Sequence, residues 1–276
     1  MINFALVDSG LLDDVGFVVD ELVDKAALRP DQIMLVGARC RDTLHAALGH
    51  STVNRRTNDL DIGLALSDWQ ALERIAAAFE KAGANGIRYR VAGLAADVMP
   101  FGSGVEDPAG VSRPKHRHED LIVFGFDDVF GHALAIELPG AGHTIRIPSP
   151  AGYAALKLRA WVDRSPDGEL KDAQDFSLIV DWYENWALIE RRLREADSAV
   201  ADSFFYDMPL ACAHLLGRDI RDQLTEANAS DLLVRFLESD TARFAAALRD
   251  EPGNPGRRSD RLDALVAGLR GETEAA

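Results

Sequence analysis

The segment RRTNDLDIGLAL, residues 55–66, constrains the fold most because its polar and apolar residues alternate. Leu60, Ile62 and Leu64 recur at every second position, and in a β-strand such residues share one face. Asp59 and Asp61 then lie together on the opposite face. Two like charges at that spacing repel each other. The pattern therefore predicts a sheet strand whose polar face meets a positive group.

The composition is that of a globular protein with a strong acidic excess. The chain has 276 residues, of which 47% are hydrophobic and 27% charged, and this suits one large domain or two smaller ones. Its 45 acidic and 30 basic residues leave a net charge of -15. Such a charge disfavours indiscriminate binding to phosphate backbones, so any contact with nucleic acid requires a local basic patch.

The two cysteines and the N-terminus indicate the compartment. Cys40 and Cys212 each lie in an apolar, helix-like context, which predicts buried free thiols rather than a disulfide. The N-terminal residues MINFALVDSGLLDD lack a basic start, and no apolar run reaches the ~18 residues that a membrane span needs. We therefore expect a cytoplasmic protein that does not contact a membrane.

Hydrophobic periodicity predicts strands and helices that alternate through the first half of the chain. The predicted elements are a strand at 33–36, a helix at 39–48, the aspartate strand, a helix from a Ser67–Gln70 capping box to Gly83, and hairpin strands at 87–91 and 94–99. A loop follows at 101–118, and strand-like spacing resumes at 120–126, 133–137 and 144–147. These strands should form one sheet.

The second half of the chain has a different character. Ser149 and Pro150 form a typical start of a helix, and the sequence after them is almost wholly helical. We expect a weak helix at 261–269 in an otherwise frayed tail after residue 249. The predicted class is α+β, with a mixed β-sheet flanked by helices in residues 1–148 and a helical domain in residues 149–276.

Three aspartates are candidates for a metal site. Asp97 lies in a second predicted strand, between the apolar Ala96 and Val98, where an unpaired charge would be costly. Together with Asp59 and Asp61 it would supply the hard oxygen donors that Mg²⁺ or Mn²⁺ prefers. Taken alone, the spacing of Asp59 and Asp61 is a weak signal, since aspartates at alternate strand positions are more often a solvated sheet face.

A possible phosphate site precedes the aspartate strand. Gly37 and Ala38 stand between a predicted strand and a predicted helix, where small residues let a phosphate approach backbone N–H groups. An ordinary tight turn has the same appearance. Arg39, Arg41, Arg55 and Arg56 could neutralise a triphosphate or an RNA backbone nearby, or they could form a solvated surface.

Two further clusters carry charge. Lys157 and Arg164 share one helical face, and Lys171 and Asp175 lie one turn apart, a spacing that also fits a surface salt bridge. The cluster RPKHRHED, residues 113–120, favours a loop that contacts solvent or a polyanion over a zinc site. The sequence contains no G-x-S-x-G, H-E-x-x-H, G-K-[ST] or G-x-G-x-x-G motif, which excludes the common hydrolase, zinc-protease, Walker and Rossmann assignments.

Four blocks taken together resemble a known family. VGARCRDTLH, RRTNDLDIGLALSDW, DVMPFG and ALKLRAWVDRSPDGELKDAQDF resemble, in order and wording, the nucleotidyltransferases of the polymerase-beta superfamily. The resemblance is to the AbiEii-like group, which includes type IV toxins and MenT-like toxins, and it spans about residues 33–183. It implies a small mixed sheet that carries the active site and a helical C-terminal domain that closes a cleft over the nucleotide.

The resemblance also assigns roles to residues. It implies Asp59 and Asp61 as the metal-binding pair, Asp97 as the third catalytic carboxylate, and Lys157 as a catalytic group that reaches the nucleotide phosphates. It implies Gly37 and Ala38 as the phosphate-side turn, and Lys171, Asp172 and Asp175 match the later lysine-aspartate motif of the family. With these residues we expect Arg39, Arg41, Arg56 and Thr57 to form the nucleotide-binding and phosphate-binding set. One departure is that the Gly-Ser of the superfamily is Gly-Ala here, so no hydroxyl is present at Ala38 to hold a phosphate oxygen.

The resulting hypothesis is a Mg²⁺-dependent or Mn²⁺-dependent enzyme that moves a nucleoside monophosphate from an NTP to an acceptor and releases pyrophosphate. The resemblance implies tRNA or another RNA as the acceptor and a cognate antitoxin as a partner. One alternative is a catalytically silent module that binds a nucleotide or an RNA. A second alternative is an antibiotic-modifying nucleotidyltransferase of the same fold.

Overall fold

The computed structural model describes residues 2–50, 59–140, 142–248 and 256–272. They form two compact units, one from Ile2 to Ser149 and one that begins at Pro150. The first unit contains a mixed seven-stranded sheet with flanking helices, and the second is helical. The predicted α+β class, with a helical C-terminal part, is confirmed.

The main sheet of the first unit has seven strands, and a two-stranded ladder lies apart from it. The strands are β1 (Ile33–Leu35), β2 (Asp59–Ala65), β3 (Glu80–Lys81), β4 (Arg88–Val91), β5 (Leu94–Phe101), β6 (Val111–Ser112), β7 (Leu121–Ile122), β8 (Leu134–Glu137) and β9 (Thr144–Ile147). The order in the main sheet is β3-β4-β5-β2-β1-β9-β8. The pairs β2–β5 and β1–β9 are parallel and the other pairs are antiparallel, so the sheet is mixed.

The predicted alternation along β2 is confirmed. Leu60, Ile62 and Leu64 are buried, whereas Asp59 and Asp61 on the other face are partly exposed. Because β2 lies between β1 and β5 at the centre of the sheet, both of its edges are hydrogen-bonded to neighbouring strands. Burial of this leucine and isoleucine row fixes the register, since a slip of one residue would place the carboxylates in the core.

Four α-helices complete the described part of the first unit. They are α1 (Ser9–Ala26), α2 (Gly37–Ala47), α3 (Gln70–Ala78) and α4 (Phe126–Gly131). In α1 the Asp8 side chain accepts a hydrogen bond from the backbone N–H of Gly10 at 2.8 Å and caps the helix. The buried residues Leu12, Val15, Val19 and Leu22 recur every three or four positions and form the packing face of α1.

Three local predictions for the first unit are wrong. Residues 120–126 do not form a strand of the main sheet: only Leu121–Ile122 is extended, and it pairs with β6. Gly125, at φ 75°, turns the chain into α4. The Ser67–Gln70 capping box is replaced by Asp68, whose carboxylate accepts from the N–H of Gln70 at 2.8 Å. Helix α3 ends at Ala78, before Gly83, because residues 80–81 pair with β4 instead.

The second unit consists of eight helices within its described residues. They are α5 (Pro150–Arg164), α6 (Lys171–Asn185), α7 (Ala187–Arg194), α8 (Ser198–Ser203), α9 (Met208–Asp222), α10 (Glu226–Glu238), α11 (Thr241–Ala247) and α12 (Arg257–Arg270). The Phe244 ring lies 5.0–5.4 Å from three other buried aromatic rings, those of Trp161, Phe176 and Phe236. Four different helices thus share one aromatic core.

Helix α12 confirms the helix predicted at 261–269 and is longer than predicted. It has 14 residues and packs closely along α9. A methyl group on Gly217 of α9 would overlap the backbone carbonyl of Leu265, and one on Gly268 of α12 would overlap that of His214. Two glycines that face each other in this way allow the helix backbones to touch. This close packing, which the local sequence does not reveal, stabilises α12.

Neither cysteine forms a disulfide and both are buried, as the sequence predicts. Burial raises the pKa of the Cys212 thiol to about 12. Within the described ranges, we find no helix that combines the length and the apolar character needed to cross a lipid bilayer.

The apolar row of β2 leads to a first prediction. Ile62 is 1% exposed and Leu6 is 56% exposed. We expect Ile62→Ala to lower the free energy of unfolding by about 2–5 kcal/mol through lost burial and a residual cavity. Leu6→Ala, the control, should have little effect. Urea denaturation of the full chain measures both, and equal effects of the two substitutions would contradict the assignment of β2 to the core.

A second prediction concerns pH. Burial lowers the pKa of His214, and the charge of Arg218 lowers it further. Below the ordinary histidine pKa the unfolded chain therefore binds a proton that the folded chain does not. The free energy of unfolding should fall between about pH 7 and about pH 5.5. His214→Gln should reduce this dependence, whereas His118→Gln, at an exposed position, should preserve it. Urea denaturation at both pH values provides the comparison.

Candidate functional site

The candidate site is a row of charged residues across three neighbouring strands. In the parallel β2–β5 ladder Asp61 lies opposite Asp97, and in the antiparallel β4–β5 ladder Arg88 lies opposite Asp97. Residues directly opposite each other in a sheet project from the same face. Asp59, two positions before Asp61, shares that face. We call Asp59, Asp61 and Asp97 the carboxylate row.

The positive group that the sequence demands opposite the aspartates is the guanidinium of Arg88. Its Nε donates to Asp97 Oδ1 at 2.8 Å, and its Nη2 donates to Asp97 Oδ2 at 2.6 Å and to Asp59 Oδ2 at 3.0 Å. The hydrogen bonds to Asp97 raise the pKa of Arg88, and the charges of all three aspartates add to this effect. Arg88 therefore neutralises part of the carboxylate row.

Asp97 is held more firmly than Asp59. Asn85 Nδ2 donates to Asp97 Oδ1 at 3.0 Å, and Asn85 Oδ1 accepts from the backbone N–H groups of Ile87 and Arg88. The Asp97 side chain is 13% exposed and that of Asp59 is 40% exposed. Asp97 is thus fixed by two side chains, whereas Asp59 is open to solvent.

Asp61 lies against the beginning of α2. Gly37 has φ 65°, and a methyl group at this position would overlap the Asp61 carboxylate. The backbone N–H of Val36 also donates to the Asp61 carbonyl at 3.1 Å. The structure therefore brings Gly37 and Asp61 together at the positive end of a helix, with Ala38 in its first turn. Only glycine leaves room for this carboxylate.

Aromatic residues bound the same sheet face beyond the carboxylates. Gly63 follows Asp61 on this face, and a methyl group there would lie 3.1 Å from the Phe101 ring and 3.4 Å from the Phe126 ring. The Phe101 and Phe126 ring centroids are 5.6 Å apart. The charged row consequently ends at an apolar wall on one side.

The arginines near Gly37 have acidic partners of their own. Arg39 Nη2 lies 3.1 Å from Asp14 Oδ2, and the buried Arg41 lies 2.8 Å from Asp42. Arg41 is therefore not part of a solvated surface, which was one of the two expectations for it. Three other predicted residues, Arg55, Arg56 and Thr57, lie outside the described residues.

Lys157 lies in the helical unit between two carboxylates. Its Nζ is 3.1 Å from Asp172 Oδ1 and 2.6 Å from Asp175 Oδ2, and Arg164 Nε lies 3.2 Å from Asp172 Oδ2. The predicted Lys171–Asp175 salt bridge is wrong. Lys171 is 48% exposed and pairs with Glu169, because Asp175 faces the buried side of α6 and Lys171 faces solvent.

The basic loop at 113–120 reaches the carboxylate row through one residue. Arg117 Nη1 donates to the backbone carbonyl of Asn85 at 2.8 Å, and Asn85 in turn holds Asp97. Arg113 is occupied by Asp107 at 2.7 Å and by Asp120 at 3.0 Å. The loop is therefore tied to the strands of the site rather than detached from them.

The donor chemistry of the carboxylate row suits Mg²⁺, because all three residues offer hard oxygen ligands on adjacent strands. In the described residues, however, no three His, Cys, Asp or Glu side chains are arranged to hold a metal ion. The guanidinium of Arg88 lies between Asp59 and Asp97 instead. The residues fit a divalent cation only if Arg88 releases Asp59.

The sequence prediction did not include Arg88 or Asn85. The signal for Arg88 is present in the hairpin, since a two-residue turn at Ala92–Gly93 places Arg88 opposite Asp97. Asn85 has no comparable signal because it lies in a turn before β4. Register within the hairpin, rather than a motif, therefore identifies the counter-ion.

Comparison with known proteins gives no match: no family model, no curated protein and no solved structure is significantly similar to this chain.

The bridge made by Arg88 leads to a third prediction. We expect Arg88→Gln, in EDTA, to lower the free energy of unfolding by about 1–3 kcal/mol, because Asp97 loses a bidentate partner in a partly buried position. Added Mg²⁺ or Mn²⁺ should raise the melting temperature of this variant more than that of the parent. Thermal unfolding with and without the cation measures both effects.

The control for this prediction is Arg90→Gln. Arg90 lies on the same face of β4, is exposed, and donates to the carbonyl of Gly93. We expect it to change neither the stability nor the cation response. An Arg88→Gln variant as stable as Arg90→Gln would show that the bridge does not balance the carboxylates.

Proposed function

We propose that this protein is a divalent-cation-dependent nucleotidyltransferase, which moves a nucleoside monophosphate from an NTP to an acceptor and releases pyrophosphate. The observation that supports the proposal best is the position of Asp61. It lies opposite Asp97 on the neighbouring strand and against Gly37 at the beginning of α2. Candidate metal donors and a candidate phosphate site are thus adjacent.

The beginning of α2 is suited to a phosphate. Backbone N–H groups point outward at the N-terminus of a helix, and the helix dipole favours an anion at this end. Because Gly37 and Ala38 have no bulky side chains, a phosphate oxygen could approach the backbone closely. In this proposal backbone donors replace the hydroxyl that Ala38 lacks.

The carboxylate row explains why a cation is needed. A polyphosphate beside Asp59, Asp61 and Asp97 would be repelled by all three. Mg²⁺ or Mn²⁺, held by these three residues, would neutralise the phosphates and lower the pKa of the acceptor hydroxyl. Asp97, which Asn85 orients, is the residue we assign to receive the acceptor proton.

Arg88 has a second role in this proposal. Its planar guanidinium can bind a phosphate with the same two-pronged geometry with which it now binds Asp97. When a cation takes over the neutralisation of Asp59 and Asp97, Arg88 becomes available to the triphosphate. The acceptor class that we propose is RNA, with tRNA and a cognate antitoxin as the more specific hypotheses.

A second candidate is a catalytically silent module that binds a nucleotide or RNA. Two observations favour it: Arg88 bridges Asp59 and Asp97, and Ala38 lacks a hydroxyl. A module of this kind would need no cation between its carboxylates. An enzyme and a silent module differ in whether a covalent product is formed.

A fourth prediction tests the proposal. The full chain is incubated with total RNA, Mg²⁺ and each of the four NTPs labelled at the α-phosphate. We expect label to become covalently attached to RNA and pyrophosphate to be released. Asp61→Asn should lower the rate by about a hundredfold or more, because charge stabilisation in phosphoryl transfer is lost. Asp24→Asn, at an exposed position of α1, is the control.

Two outcomes would contradict the proposal in different ways. Label that binds reversibly and is never attached would support the silent module. Absence of binding for all four NTPs in the presence of Mg²⁺, with no change in the melting temperature of the parent protein, would exclude the enzyme and a module that binds nucleotides, and would leave only a module that binds RNA.

A further inference from the structure

We propose that a pocket on the other face of the sheet binds a small molecule that carries a planar ring and an anionic group. We call it the α3 pocket. It lies between α3 and residues 113–116, and its walls include Trp69, Leu72, Ala76 and Tyr89. The cavity has a volume of about 230 Å³. All of its walls belong to the first unit.

The walls favour a ring. Trp69 and Tyr89 contribute two aromatic side chains, and Leu72 and Ala76 contribute aliphatic groups. Small-molecule sites are typically concave and mostly apolar, with a few polar groups that fix the orientation of the ligand. Aromatic rings stack on one another in offset or edge-to-face arrangements, so a planar ligand gains most from such walls.

Two hydrogen-bond donors in the pocket lack acceptors. Within the described part of the chain, neither the Tyr89 hydroxyl nor the indole N–H of Trp69 has a hydrogen-bond partner in the protein. Burial raises the pKa of Tyr89, so its hydroxyl remains a donor at neutral pH. Both donors are therefore available to an acceptor atom of a ligand in the pocket.

The mouth of the pocket favours a negative charge. Lys115 and His116 line it and are exposed, and Lys115 forms no ion pair with any described residue. Arg113 also lines it, but Asp107 and Asp120 occupy its guanidinium. Glu73 is the one carboxylate among the lining residues. Donors therefore outnumber acceptors, and Lys115 is available to an anion.

The α3 pocket is separate from the carboxylate row. Tyr89 and Arg88 are neighbours in β4 and project from opposite faces of the sheet. The pocket therefore lies behind the strand whose front holds Arg88. This inference consequently goes beyond the proposed function, and either can fail without the other.

A fifth prediction tests the inference by ligand-observed NMR and calorimetry on the full chain in EDTA, which removes cation-dependent binding at the carboxylate row. The ring-bearing anions are adenosine monophosphate, uridine monophosphate and indole-3-acetate. Adenosine supplies the ring without the anionic group, and inorganic phosphate supplies the anionic group without the ring. We expect saturable binding of at least one ring-bearing anion, and about tenfold weaker binding of adenosine and of phosphate. Comparison of the two nucleotides with indole-3-acetate shows whether the anionic group that binds is a phosphate or a carboxylate.

Variants place the bound molecule in the α3 pocket. Tyr89→Phe keeps the ring and should weaken binding about threefold to tenfold through the loss of one hydrogen bond. Lys115→Gln should weaken it and Glu73→Gln should strengthen it, since they remove opposite charges. Lys25→Gln, on α1 and outside the pocket, is the matched control. If Tyr89→Phe does not fold, the two exposed variants decide the question.

Three results would overturn the inference. The first is the absence of saturable binding for every ring-bearing anion. The second is binding that Tyr89→Phe, Lys115→Gln and Glu73→Gln all leave unchanged. The third is tighter binding by Lys115→Gln together with weaker binding by Glu73→Gln, which would indicate a cation.

Discussion

The charge balance between Arg88 and the carboxylate row is the interaction on which the centre of the sheet depends. The parallel β2–β5 pairing sets Asp61 beside Asp97, with Asp59 on the same face. Without a positive group, three like charges would repel across adjacent strands. Arg88 supplies that group from the next hairpin. The guanidinium of Arg88 thus balances part of the negative charge of the carboxylate row. Any cation that binds must compete with this guanidinium for Asp59.

Local patterns predicted those parts of the fold whose partners are near in sequence. The alternation of β2, the hairpin around Ala92–Gly93 and the helix from Pro150 all follow from spacing and turn chemistry within a few residues. The order of the sheet does not, because β2 pairs with β5 across an intervening helix and hairpin. The prediction of a main-sheet strand at 120–126 is wrong for the same reason, because the extended residues there pair with β6 and not with the main sheet.

The site shows the same division. Sequence motifs single out Gly37, Asp61 and Asp97. The turn between β1 and α2 places Gly37 against Asp61, and the parallel β2–β5 pairing places Asp61 opposite Asp97. Arg88 escaped prediction because a lone arginine on a polar strand face is common, and only the hairpin register gives it meaning. Lys171 was paired with Asp175 from helical spacing alone, which does not tell which side of α6 is buried.

The state of the two thiols has a practical consequence for biophysical work. Cys40 and Cys212 are buried, and the high pKa of Cys212 leaves almost no thiolate near neutral pH. The thiolate is the form that reacts with alkylating reagents. A single cysteine introduced at an exposed position would therefore react first, so fluorophores or spin labels could be attached at chosen sites while both native thiols are retained.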